Sequence, residues 1–366
     1  MPFLTTFGRK RPSELLNSLC LLFSFMTSTA LSQQSPEASR VSDRIVTLAS
    51  NDMPEYSAVQ RGSNCDSLGT CKTTSNSKAC QATNHWSVTA DAMFLHRQTP
   101  DSVIQAFNTA NPSETLNADQ FRLGIHSGFD LSATRRFKNE IGVELRYFGF
   151  DHWNSDASVA TTPGDLLQIN SAVPIFTLAG DSINAGYQST LHNAEFSLFR
   201  PATEKISLLG GFRYLELDEQ ETANLINPAI PFDYSTDTRN RLSGFQLGTK
   251  LNLWNQGGIF SLGGVGKAGI YGNHAAQNSN INVGVSTLST AGRGTSTAFV
   301  GELGIFGKCI LTDRLALRGG YNTLWLTDVA LASEQLTDSD FANGTGFSNS
   351  GDLFYHGATA GLEYSW

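Results

Sequence analysis

The side chains of this sequence best suited to chemistry are ionisable groups at alternate positions within apolar stretches. The acids are Asp91, Asp130, Glu140, Glu144, Glu195, Glu302 and Glu363, and the bases are Arg97, Arg122, Arg146, Arg213, Lys250, Lys267, Lys308 and Arg318. In extended chain a spacing of two places such groups on one face. Acids and bases gathered on a common face either neutralise one another or form charged rings that select among small polar solutes. Hydrolysis is the other candidate chemistry, because Asp151, His152, Asp181 and His126 are of types that activate water. No nucleophile motif or metal-binding helix accompanies them, so the chain reads as a non-enzyme. The acidic runs at 338–340 and 233–237 lack the spaced ligands and closing glutamate of a calcium loop. His85 beside Cys65, Cys71 and Cys80 matches no zinc spacing. No metal and no cofactor is expected.

These groups need strands to hold them, and the hydropathy supplies ten. Alternation marks segments near 86–97, 121–131, 140–147, 188–199, 206–217, 240–253, 258–272, 296–311, 314–328 and 354–366. In the second, Phe121, Leu123, Ile125, Phe129 and Leu131 share one parity, while Arg122, Gly124, His126, Gly128 and Asp130 share the other. Connections alternate between short (133–137, 201–205, 255–257, 312–313) and long and polar (98–119, 151–187, 218–239, 273–295, 329–353). Antiparallel strands crossing a membrane give this asymmetry, with tight turns on one side and extended loops on the other. The predicted fold is therefore all-β, a transmembrane antiparallel up-and-down barrel of ten strands. Twelve result if the apolar piece at 173–178 forms another hairpin.

A soluble sandwich also has one apolar face per strand. Against it stand the strand lengths, the glycines on the charged face and the aromatics near strand ends. Trp254, Tyr271, Trp325, Tyr364 and Trp366 are expected to form girdles at the two membrane interfaces. Hydrocarbon offers no partner to a free backbone group, so the first and last strands must pair and close the wall.

Residues 1–32 read as a secretory signal: Arg9, Lys10 and Arg11 precede an apolar run over 15–26 and small residues at 28–32. Leu19 before Cys20 is too bulky for lipoprotein processing. Residues 33–84 form a polar, partly disordered periplasmic leader carrying Cys65, Cys71 and Cys80, two of which can pair while the third stays free or meets Cys309. Removing Arg9, Lys10, Arg11 and Glu14 from 25 basic and 33 acidic residues leaves 22 against 32, a net charge of −10. An acidic exported chain is a poor nucleic-acid binder. No apolar run of about 18 residues follows the signal, so no transmembrane helix is expected.

The closing strand alternates Phe354, Ala358, Ala360, Leu362, Tyr364 and Trp366 with Tyr355, Gly357, Thr359, Gly361, Glu363 and Ser365. It resembles the last-strand signature of outer-membrane barrels, although most of that class end in Phe, and this implies recognition by the barrel-assembly machinery. Together with GFRYLELDEQ at Gly211–Gln220, the region from 86 to 366 resembles the β-barrel porin-7 family of bacterial outer-membrane proteins. That resemblance implies integral residence in a Gram-negative-type outer membrane and a porin role.

The function expected is thus a porin-like passive channel for small polar solutes, lined by Arg122, Asp130, Glu144, Arg146, Arg213, Lys250, Glu302, Arg318 and Glu363. The alternative is a closed structural or adhesive barrel acting through its long external loops. Partners expected are outer-membrane lipid, the assembly machinery and copies of the chain, with both termini periplasmic. If charge pairing closes the lumen, Arg318→Ala is expected to enlarge single-channel conductance, and unchanged or smaller conductance counts against that closure.

Overall fold

In a computed structural model the described residues are 85–366, apart from 161, 163–164, 174, 177–181, 227–230 and 256–257. The signal segment, the leader with its three cysteines, and Asp181 lie outside them. The strands in chain order are β1 (His85–Arg97), β2 (Ile104–Asn108), β3 (Thr115–Asn117), β4 (Ile125–Arg136), β5 (Gly142–Ala160), β6 (Leu167–Ile169) and β7 (Ile175–Phe176). There follow β8 (Ser182–Pro201), β9 (Ile206–Ile226), β10 (Phe232–Asn255), β11 (Phe260–Val283), β12 (Ser286–Ile310), β13 (Leu315–Val329) and β14 (Gly351–Ser365). A short α-helix, α1 (Ala332–Asp338), precedes β14.

Ten strands close a barrel in the order β1-β14-β13-β12-β11-β10-β9-β8-β5-β4, with every neighbour antiparallel. The seam is made by β1 between β14 and β4, with Val88 opposite Tyr364 on one side and Ala133 on the other. Closure on both flanks of β1 leaves no sheet edge for hydrocarbon to desolvate. The apolar parity faces out: Phe129, Leu145, Phe196, Leu208, Phe245, Ile270, Leu303, Leu317 and Leu362 are all exposed on the wall. They form the belt of a transmembrane barrel, and the charged parity turns inward.

The wall is far taller on one side. β12 has 25 residues, roughly 80 Å of strand at about 3.3 Å per residue, whereas the apolar band of such barrels is only about 25 Å tall. Within the stretches expected as loops, 218–226, 232–239, 273–283 and 286–295 are in fact strand: β9 and β10 pair out to Asn224–Asp233, and β11 and β12 to Val283–Ser286. Beyond the belt the outward face becomes polar, with Arg239 bonded to Asp218 and Arg241 to Glu216, while the inward face keeps Ala223, Leu225, Phe232, Tyr234 and Ile281 buried. β8 to β12 stay paired to this height as one sheet, and an antiparallel sheet tolerates one wet and one covered face. Polar composition alone reads it as a loop.

The twelve-strand alternative is corrected in the same way. Residues 167–169 and 175–176 join β2 and β3 in a separate four-stranded sheet of order β3-β2-β6-β7, outside the barrel ladder. Its buried residues Ala106, Leu116, Leu167 and Ile169 belong to one apolar cluster with the wall residues Ile183, Leu217, Phe232 and Leu336 of α1. The sheet and α1 therefore cap the lumen.

Two local conformations reset the sequence parity. Gly124 has φ +53, a left-handed conformation that glycine adopts without a Cβ penalty, and it ends the alternation read from Phe121. Phe121 and Leu123 turn into the core, Arg122 is exposed, and the outward face starts at Ile125. Arg122 is thus no lumen residue. Glu140, with φ 67 in the β4–β5 turn, is exposed as well.

Glycine matters most at the seam, where a Cβ on Gly357 would collide with the Phe94 carbonyl oxygen and one on Gly361 with that of Ala90. Gly357→Val is expected to separate β14 from β1. The measurement is the heat-dependent shift in gel mobility that marks a closed barrel, which the variant loses while Gly272→Val, whose Cβ meets only the Ser243 carbonyl oxygen at 3.9 Å, keeps it.

Candidate functional site: the charged lumen

Successive rungs of the wall aim their polar side chains at one level of the lumen. Arg146 on β5 lies opposite Glu195 on β8, and Glu195 lies opposite Arg213 on β9. Lys267 on β11 lies opposite Glu302 on β12. The Arg146 guanidinium donates through Nε to both Asp130 oxygens at 3.0 and 2.9 Å and through Nη2 at 2.7 Å, while Nη1 reaches Glu195 at 3.1 Å and also bonds Glu302. Arg213 donates to Glu195 at 2.9 Å and to Glu302. Lys267 and the Gln246 amide each donate to the other Glu195 oxygen at 2.7 Å, and Asn193 adds a bond at 2.9 Å. Seven neighbouring strands, β4 to β12 around the barrel, thus meet in one network across the axis.

Below it, toward the end that carries the chain termini of the barrel, lies a polar cavity of ≈ 170 Å³. Lys250 bonds Glu144 and sits 4.3 Å over the Phe199 ring, Lys308 bonds Glu363, and Arg318 stands 3.9 Å from both Asp91 and Glu363. Of the residues read from sequence as lumen-lining, Asp130, Glu144, Arg146, Arg213, Lys250, Glu302, Arg318 and Glu363 meet in this cavity or the network above it. Arg122 does not. Arg318 lies beneath the crossing network, so its removal widens the vestibule and leaves the constriction in place. The residues to test for closure are Arg146 and Arg213.

Above the network is a second clip. Arg97 of β1 bonds Glu219 of β9, whose carboxylate also accepts from Tyr187 Oη, from Ser189 Oγ at 3.1 Å and from the Ala332 backbone N–H at 3.1 Å. Arg97, Tyr187 and Tyr355 are fully buried. Asn240 fixes the chain ahead of α1 by donating to Ala330 O at 2.8 Å and accepting from Ala330 N at 2.7 Å. The sequence missed Glu219 because it fell in an expected loop, although its period-two spacing from Arg213 through Leu215 and Leu217 marks the same inward parity.

The girdle is likewise partly relocated. Trp366 stacks on Trp86 at 6.4 Å and lies 5.6 Å from Tyr364, and Trp254 is exposed at the same end. At the other edge of the belt Trp325 packs on Phe354 at 5.3 Å. Tyr271 is buried, its hydroxyl donating to Gln246 at 3.3 Å, and it belongs to the lumen. Gly272 takes the outward place beside it, a parity choice fixed by the Phe245–Ile270 rung.

The water-activating candidates do not converge. His126 packs on Trp153 at 6.2 Å at the inner rim, whereas Asp151 lies 3.5 Å from His192 on the outside, where His192 also meets the Tyr147 hydroxyl at 3.0 Å. His152, with φ 62, marks the bulge that shifts the β5–β8 register. Among the described residues no group of three or more His, Cys, Asp or Glu could hold a metal ion, and no helix is long and apolar enough to cross a membrane. Cys309 is a half-buried free thiol.

Removing one member of the network should leave buried charge uncompensated. Arg213→Met is expected to lower stability by about 3–5 kcal/mol, read as the urea midpoint for loss of the folded, heat-shiftable band. Adding Glu302→Met is expected to recover part of that loss, and a second loss of equal size would show that the two groups act independently.

No family model matches the chain, and no curated protein does. Among solved structures it is similar to the outer membrane protease OmpT from Escherichia coli, at 12% identity and TM-score 0.42, covering 77% of this chain and 97% of that one. It is similar to the translocator domain of the autotransporter NalP from Neisseria meningitidis, at 10% identity and TM-score 0.37, covering 77% and 88%. A third is the toluene transporter TodX of P. putida, at 10% identity and TM-score 0.28, covering 77% and 89%.

Proposed function

We propose that this chain is an outer-membrane barrel that is closed in its resting state, with the cap and tall hairpins turned outward and the termini toward the periplasm. The observation that carries this reading is the crossing network, where the side chains of Arg213 and Glu195 are 1% exposed and that of Glu302 is 3% exposed. Groups so enclosed have almost no contact with water. The cap closes the lumen again above, with Phe121, Leu191, Leu217 and Leu242 fully buried between wall and cap. Two stacked seals favour a structural or recognition role, exercised through the hairpins of β9–β10 and β11–β12, over a permanently open porin.

The second reading, a gated passage for small polar solutes, rests on the vestibule. Its mixed charges, Lys250, Lys308 and Arg318 against Glu144, Glu363 and Asp91, would serve solutes of either sign once the seals part. Lipid, the assembly machinery and copies of the chain remain the partners proposed on the strength of the apolar belt and the closing strand.

The test is single-channel recording of refolded protein in a planar bilayer at neutral pH, with the heat-dependent mobility shift as proof of a closed wall. Silence is the outcome expected. Stable ion-selective steps from folded protein would overturn the closed reading and restore the porin.

A further inference from the structure

Beyond the belt, at the seam between cap and wall, one carboxyl is buried with nothing to neutralise it. Glu221 of β9 points inward, is 1% exposed, and neither of its oxygens takes part in a hydrogen bond of normal geometry. It borders a void of ≈ 10 Å³ shared by Gln105 and Ala106 of β2, Leu116 of β3, Ile169 of β6, Ile183 of β8, Ala223 of β9, Phe232 and Tyr234 of β10 and Leu336 of α1. Half of this lining belongs to the cap and half to the wall. The hydroxyl of Tyr234 and both polar atoms of Gln105 are also without a partner of normal geometry. A void of that size holds about one water molecule.

Among the described residues the charged and titratable groups around Glu221 offer no counter-ion. On its own strand stands Glu219, whose cation, Arg97 of β1, is already committed to it. β10 presents Tyr234 and, farther off, Asp237, while β2 presents the neutral Gln105. β8 contributes Ile183 at the void and Tyr187, which bonds Glu219. From α1 comes Leu336, and on the same helix Glu334 faces Asp101, Glu219, Asp352 and Asp338.

From this arrangement we infer that the cap is held by a proton latch: a neutral Glu221 carboxyl lets the cap seat on the wall, and its ionisation drives the cap off. The inference goes beyond the resting closure proposed above by naming what releases one of the two seals. An isolated carboxylate in an apolar seam is among the costliest groups to bury. The seated cap therefore takes up a proton from solution, and lifting the cap lets water reach the ionised group.

The direction follows from linkage. Burial pushes the Glu221 carboxyl up to about 8, with Gln105 opposing and Glu219 adding to the rise. Burial also pushes Glu334 up to about 7, with Asp101, Glu219, Asp352 and Asp338 contributing after it. An acid whose value is raised in the seated state favours seating at low pH. That preference falls as pH rises from the ordinary carboxyl value through the raised one, and levels off above it. Each such group weakens seating about tenfold per pH unit across its window.

The experiment is hydrogen exchange on the full chain refolded in detergent, at pH 5 to 9, corrected for the intrinsic pH dependence of exchange. Reporters are the cap amides of Ala118 and Asn170, bonded to Val103 O at 2.9 Å and Gln105 O at 2.8 Å. Belt amides such as that of Leu247 serve as controls. Cap opening is expected to rise steeply with pH in the wild type, while the belt stays protected. Glu221→Gln is expected to lose about tenfold per pH unit of that slope. Glu221→Met serves as a second neutral variant should the glutamine fold poorly.

A wild-type cap whose opening does not depend on pH would overturn the latch, and so would equal slopes in wild type and both variants. The readout does not depend on conductance. Channel steps at neutral pH would sink the closed reading without touching the latch, and a pH-independent cap would sink the latch without touching the closed reading.

Discussion

A backbone amide facing hydrocarbon has no water to turn to, and the rest of this molecule depends on that constraint. It forces the wall to close, so β1 must pair with β14 on one flank and β4 on the other. Once closed, the wall fixes the parity of every strand, because a one-residue slip would turn a whole set of side chains to the wrong face. The apolar parity meets lipid. Everything ionisable on the other parity is confined to a narrow interior, where it must find a partner or remain neutral.

The interior answers this in two ways along its length. At the level of the belt the answer is ionic: Arg146, Arg213 and Lys267 share Glu195 and Glu302, and Asp130 is held by Arg146. A buried ion network of this kind is weak support for stability as such but strong support for a unique register, since a shifted strand would strand a charge. Above the belt the answer is apolar, with the cap sheet and α1 filling the tube much as a core fills a soluble domain. Glu219 and Glu221 sit two residues apart on β9 at the boundary between these regimes. One is met by Arg97, Tyr187 and Ser189, and the other by no cation among the described residues.

Much of this architecture is legible in the sequence. Alternation over 206–217 or 314–328 reveals both strand and parity, because lipid on one side and charge on the other make the contrast steep. Where water replaces lipid the contrast collapses. For that reason the outer parts of β9–β12 read as loops, and Glu219 and Glu221 stayed hidden although their spacing from Arg213 is even. The reversal at Gly124 needed a backbone angle, which no composition supplies, and it misplaced Arg122. Tyr271 shows the converse limit: an aromatic near a strand end suits a girdle or a lumen equally well, and only the register beside Ile270 decides. The partners within the network were legible only as a nearly balanced set, since opposition across strands depends on register.

The uneven height of the wall gives the molecule a front and a back. On one side β8 to β12 stand 20 to 25 residues long, while β1, β4, β13 and β14 have 12 to 15. The cap is therefore backed by a high parapet of β8 to β12 and by shorter strands on the opposite side. Two neighbouring copies would meet differently according to which sides they turned to each other. A tube with a round cross-section thus acquires a compass bearing in the plane of the membrane.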